Sequence, residues 1–248
     1  MARGFWLMFG AVSQLLFVMT VCRLFPFLRG GRDNGAPFTT GPWFVTDALL
    51  ALQFAVVHSV LLYPKVRKTL SARIPSPQYG CFFCAVTCVC LLFVTETWQP
   101  SRGAVWRLQG FGRAFVEGAF LASWVALVYS LSLTGLGYQT GWTTWWAWVR
   151  GRDVPKRTFE PRGAYHMLRH PVYLSFLGLI WFNPVMTFDR MTLAVTWTAH
   201  IFLGSYLKDR RLVHYIGAAY QRYQSRVPGY PFIAFGPLGK VPPPGGES

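Results

Sequence analysis

Four nearly unbroken apolar stretches, at 4–22, 44–63, 79–97 and 114–136, limit what this chain can fold into. Each approaches the ~20 residues that a helix needs to cross a hydrocarbon core of about 30 Å. The spacing therefore predicts four transmembrane helices. The first run has the length of a signal peptide, but Arg23 to Leu28 shows no small-x-small cleavage site, so a retained helix is expected. Charged residues make up only 13% of the chain, against about 25% in soluble domains. That is too few to clothe a water-facing surface.

A fifth apolar stretch, 172–207, is too long for one span and short for two. Asn183-Pro184 and Asp189-Arg190 interrupt it, and proline stops or kinks a helix. The reading is a helical hairpin, 172–183 and 190–207, whose first arm need not cross fully. The expected fold is all-α: a polytopic transmembrane helical bundle of four spans, the C-terminal hairpin and a cytoplasmic tail helix. Residues 1–136 form the N-terminal transmembrane helices. A loop, the hairpin and the tail helix follow over 137–232, and the Gly/Pro-rich tail 233–248 is expected to have little order.

The formal net charge of +15 would suggest nucleic acid in a soluble protein. Here the basic residues lie between apolar runs, where they set orientation against anionic lipid. The expected partner is the bilayer, with no nucleic acid and no obligate protein partner identifiable. With the hairpin returning to its starting side, seventeen of the 24 Lys and Arg fall on one side and seven on the other. The positive-inside rule then puts both termini and the loop 137–171 in the cytoplasm. The source membrane stays open between a bacterial inner membrane and the endoplasmic reticulum or nuclear envelope.

The five cysteines, four of them between Cys81 and Cys90, do not form a secreted disulfide framework. Scattered histidines give no metal site with trusted spacing. The loop tryptophans Trp142, Trp145, Trp146 and Trp148 read as an interfacial belt or as a pocket lining.

Chemistry concentrates around Arg169-His170-Pro171-Val172-Tyr173. Pro171 suits the first turn of a helix, and the free N–H groups there favour an anion. Arg169 and His170 would add donors for a carboxylate, and Tyr173 would hold a flat or apolar group one turn inward. The alternative is that Arg169 and His170 only anchor the helix to headgroups. Downstream, Asp209 is placed to accept hydrogen bonds from a ribose or an ammonium. Tyr220 and Tyr223 share a helix face, for stacking on an adenine or for packing the tail.

These residues carry a resemblance. RHPVY, an apolar hairpin, an acidic turn, IGAAYQRY and VPGYP together resemble the isoprenylcysteine carboxyl methyltransferase-like membrane superfamily. Within it, His58-Ser59-Val60, Trp98-Gln99-Pro100 and Trp181 to Thr187 point to the methanethiol S-methyltransferase, NnrU and nurim branch. The resemblance covers roughly 45–232. It implies S-adenosylmethionine as cofactor, bound by Arg169, His170, Pro171, Tyr173, Asp209, Tyr220 and Tyr223, and a small apolar thiol as substrate. One departure stands out: the family usually has two adjacent Glu after the hairpin, where this chain has Lys208 and Asp209.

The thiolate is the reactive form of a thiol. His58, a lone imidazole within the second span, is the candidate catalytic base; a helix-packing residue is the other reading of it. Two further functions compete with the thiol methyltransferase: an NADPH-dependent reductase of sterol-reductase type and a non-catalytic nurim-like membrane scaffold.

Overall fold

A computed structural model of the chain describes residues 2–30, 42–155 and 158–242. Helices α1 (Ala2–Arg29), α2 (Trp43–Leu62), α4 (Tyr79–Thr97) and α5 (Gly110–Thr134) are long and apolar enough to cross a membrane. They coincide with the four expected spans, because each run is apolar on every face and ends at Gly, Pro or polar residues. A short amphipathic helix, α3 (Pro64–Ser71), follows α2. Beyond α5 come α6 (Leu136–Gln139) and α7 (Trp142–Val149). Helix α7 gathers the loop tryptophans, and Trp145 Nε1 donates to the Trp6 carbonyl at 3.1 Å.

The hairpin is present with unequal arms: α8 (Pro171–Trp181) and α9 (Phe188–Ile216). No residue of α8 is exposed; it packs between α5 and α9, as expected for a helix apolar all round. Helix α9 packs on α2 as well and runs on through the polar residues 208–216, which the sequence assigned to the tail. It stops at Gly217, whose φ of 68° and ψ of −138° suit only glycine. The chain then turns back into α10 (Ala218–Arg226).

A feature absent from the expected fold is a two-stranded antiparallel ribbon, β1 (Ala104–Arg107) and β2 (Val185–Thr187), with Ala104 opposite Thr187 and Arg107 opposite Val185. The non-helical link between α8 and α9 pairs its backbone groups with β1. The same end of the bundle, here the far end, is held by Asp189. Its carboxylate accepts from Trp98 Nε1 at 3.0 Å, Ser101 N at 3.0 Å and Ser101 Oγ at 2.7 Å. Replacing Asp189 with Ala strands these buried donors at about 1–3 kcal/mol each. The detergent-solubilised Asp189→Ala variant should melt at least ~5 °C lower; an unchanged melting temperature would refute the anchoring role.

A second difference concerns the tail. Residues 233–242, expected to have little order, fold back on α10 and the turn after it. Gly229 N donates to the Leu238 carbonyl at 2.8 Å and Val241 N to that of Gln224 at 3.1 Å. Composition alone pointed to disorder, but these backbone groups find partners in the turn that precedes them. Residues 243–248 lie outside the described residues, as do the basic residues Arg32, Lys156 and Arg157.

Candidate functional site

The end opposite the Asp189 anchor holds a buried charge cluster centred on Asp209. Asp209 sits late in α9 and is 3% exposed. Its Oδ2 forms an ion pair with Arg169, whose side chain is fully buried, and receives His170 Nε2 at 3.1 Å. Its Oδ1 accepts from the Tyr220 hydroxyl at 2.5 Å. Arg169 also donates through Nη2 to the carbonyls of Pro237 at 3.1 Å and Gly239 at 2.6 Å. Two main-chain bonds tie the same segment to the tail: Arg169 N to Pro228 O at 2.9 Å, and His170 N to Gly229 O at 3.2 Å.

The local sequence explains this convergence. Pro171 opens α8 and lacks an N–H that would need a partner there. The residue before a proline is held out of the helical region, so His170 and Arg169 peel away from the helix axis towards α9. The turn at Gly217 sends α10 back along α9 and delivers Tyr220 to the carboxylate eleven positions upstream.

The electrostatics follow from burial and pairing. Burial opposes ionisation of Asp209, yet the His170 hydrogen bond, the Arg169 charge and the Tyr220 hydroxyl outweigh it and hold the carboxyl below its ordinary range. Burial keeps His170 neutral by lowering its pKa against the pull of Asp209. A neutral His170 facing a carboxylate must carry its proton on Nε2. Burial pushes the Tyr220 and Tyr223 phenols well up, so both stay protonated donors.

Around the cluster lies an aromatic shell. Tyr220 and Tyr223 have ring centroids 5.6 Å apart, and Phe159 meets each edge-on at 5.4 Å. Tyr223 donates to the Tyr165 carbonyl at 2.6 Å. The Tyr173 and Tyr230 rings flank His170 at 5.5 and 5.4 Å. Tyr230 is also bonded to Ser205 of α9. Lys208 Nζ lies over the Tyr173 ring, 5.2 Å from its centroid.

Thus Arg169, His170, Pro171, Tyr173, Asp209, Tyr220 and Tyr223 all meet at one end of the bundle. Arg169 and Asp209, read from the sequence as facing a ligand, face each other. Within the cluster, Arg169 Nε, a donor, and His170 Nδ1, an acceptor in this tautomer, are buried and keep no partner among the described residues. His58 stands apart from the cluster, on α2. Its ring is 5.9 Å from that of His200 on α9 and 5.3 Å from Phe83 on α4. Arg211 of α9 donates to the Leu62 carbonyl at the end of α2 at 3.1 Å.

Phe159, Tyr230 and the Pro237 and Gly239 carbonyls were not singled out in the sequence. Tyr230 stands in the VPGYP segment, which offered a signal; Phe159 lies in a loop with no periodicity. Two clefts at the far end, both lined in part by Asn183 and Arg190, do not touch the cluster.

Four helices long and apolar enough to cross a membrane make this an integral membrane protein, with the buried charge cluster at one end of the bundle. The chain is similar over most of its length to proteins named methanethiol S-methyltransferase. It is 28% identical over 228 residues to one from a Pseudomonas species, covering 89% of this chain and 87% of that protein. With methanethiol S-methyltransferase 2 of Bradyrhizobium diazoefficiens it shares 26% over 232 residues, 92% and 90% of the two chains. It is also 27% identical over 220 residues to nurim of Sus scrofa, with 79% and 82% covered. These relatives carry the names of the branch that its motifs resemble. No family model and no solved structure matches it.

Proposed function

We propose that the protein is a membrane methyltransferase that transfers a methyl group from S-adenosylmethionine to a small thiol such as methanethiol. The observation that carries this reading is the junction in which Arg169, His170, Asp209 and Tyr220 interlock beneath an aromatic shell. The orphaned donor and acceptor on Arg169 and His170 suit the zwitterionic end of such a donor molecule, and Tyr220, Tyr223 and Phe159 suit a flat base. When bound, the donor supplies an electrophilic methyl: the acceptor sulfur forms a new C–S bond as the sulfonium C–S bond breaks, its electron pair returning to sulfur.

The chain's own part is positioning, worth up to about 7–11 kcal/mol in well-aligned cases. Asp209 fixes the Arg169 and His170 side chains, and Tyr173 and Tyr230 fix the plane of the His170 ring. His58, with His200 beside it, takes the thiol proton. The site end carries Arg210, Arg211, Arg222 and Arg226; the positive-inside rule supports a cytoplasmic site and cytoplasmic termini.

Calorimetric titration of the purified protein with S-adenosylhomocysteine, and separately with NADPH, tests the assignment. Saturable binding of S-adenosylhomocysteine alone is expected. NADPH binding alone would move the case to a reductase, and binding of neither would leave a scaffold. A base at His58 makes a sharper demand. His58→Ala should lower kcat for methanethiol by about 100-fold while S-adenosylhomocysteine affinity stays the same. An unchanged kcat would remove His58 from the chemistry.

A further inference from the structure

We infer that the strap after α10 is seated in lipid: Phe232 and Phe235 lie against the bilayer, and this seat keeps the Pro237 and Gly239 carbonyls on Arg169. The seat stands on geometry alone. Its effect on the methyl donor rests on the methyltransferase reading.

The level of the strap along the bundle points to lipid. Arg211 of α9 reaches the Leu62 carbonyl, at the last residue of the membrane-length helix α2. Ser205 lies six residues nearer the middle of α9, about 9 Å deeper at ~1.5 Å per residue. Tyr230 is bonded to Ser205, and its ring stands 5.1 Å from that of Phe202. The chain after α10 therefore dips past the end of α2, to a level where α9 itself exposes Leu203 and Tyr206. An exposed leucine there is matched by acyl chains, which are as apolar as its own side chain.

From Tyr230 onwards the strap divides its side chains. Ile233 and Leu238 pack against the buried core. Phe232 and Phe235 are 105% and 89% exposed, the two highest values among the large hydrophobics described. Phe232 is two residues from Tyr230, at most about 7 Å along the chain, and so stays near the level of Ser205. Its φ is 66°, and it is the one non-glycine residue with positive φ among the described residues. A bulky side chain is an outlier in that region, and such strain persists only where the surroundings over-determine it. Here the buried Tyr230 on one side and Ile233 on the other fix the turn and leave the Phe232 ring outside. Exposed apolar patches mark contact with membrane or protein; the level of the strap selects membrane. Pro237 and Gly239, which supply the Arg169 acceptors, follow directly. What holds the two rings therefore also holds those carbonyls.

Electron paramagnetic resonance of the full-length protein in phospholipid nanodiscs tests the seat. A nitroxide is attached at Phe235→Cys in a Cys22→Ser background, since Cys22 is the one exposed cysteine. Dissolved oxygen should relax the label more than a water-soluble nickel chelate does. Greater access to nickel puts the position in water, and low access to both reagents puts it under protein, such as a second copy of the chain; either result overturns the seat. The link to the donor site is read by calorimetry in the same nanodiscs. Phe232→Gly/Phe235→Ser should lower S-adenosylhomocysteine affinity about fivefold, the low end for coupling between separate sites, while Phe235→Trp keeps it. Glycine suits the left-handed turn, so the double variant has no reason to misfold; its melting temperature checks this. Unchanged affinity in the double variant overturns the link. A wild type that binds no S-adenosylhomocysteine brings down the methyltransferase reading, and the label result still decides the seat.

Discussion

Asp209→Asn should weaken methyl-donor binding about 100-fold and lower stability more than any other single substitution at the site. The amide keeps the shape of the side chain but removes the charge that balances Arg169, whose guanidinium has no exposed surface. Breaking a buried ion pair from one side costs about 3–5 kcal/mol. If only the lower end of that range reaches the binding site, affinity for S-adenosylhomocysteine falls about 100-fold, at tenfold per ~1.4 kcal/mol. Calorimetry and a detergent melt read the two effects separately.

The paired variant Arg169→Met/Asp209→Leu removes both charges and should regain much of the stability. It should not regain binding, because the groups that hold His170 and Tyr220 in place are gone. The sign of the pH dependence follows from the depressed Asp209 pKa. Its contribution is complete above the ordinary carboxylate value of about 4. It is lost as the pH falls through the lower folded value, so neutral pH lies on a plateau. Wild-type affinity in Asp209→Asn would refute the hub.

Removal of residues 233–248 is the second large effect. Arg169 would lose the Pro237 and Gly239 carbonyls, and Gly229 N would lose Leu238 O. Two charge-assisted hydrogen bonds are worth about 1.5–3 kcal/mol each, so donor binding should weaken at least tenfold. The four spans are untouched, and the truncated protein should still insert and purify as a monodisperse particle. Gly239→Val offers the same test in the full chain. Its Cβ would come within 2.6 Å of Ala234 backbone atoms and so lift the tail from Arg169. Full binding in both variants would show that the tail only covers the site.

Much of the fold was written in the apolar runs. The bounds 44–63 and 79–97 fall within one residue of α2 and α4, because a span is fixed by composition over ~20 positions. The ribbon was hidden, since β1 has four residues and no repeating pattern to reveal it. The C-terminal extension of α9 was hidden for a different reason: Lys208 to Val213 is polar enough to look like a separate element, and only Gly217 breaks the helix. At the site, the residue types at Arg169, His170, Asp209 and Tyr220 were legible, but their partners were not. Donors and a carboxylate forty positions apart look the same in sequence whether they await a ligand or each other. The orphaned Nε of Arg169 and Nδ1 of His170 emerge only once the other valences are assigned.

Helix α9 carries two of the described buried carboxylates, Asp189 and Asp209. They stand twenty residues apart, about 30 Å along a helix axis, which is also the thickness of the hydrocarbon core. Between helices in lipid, apolar contacts barely distinguish one rotation or depth from another, because acyl chains are as apolar as leucine. Two fixed acceptors, pointing to nearly opposite sides of one rod and one near each end of the bundle, remove that freedom. Helix α9 is a gauge rod: it sets the vertical alignment of every helix packed on it, and so the height at which the members of the charge cluster meet.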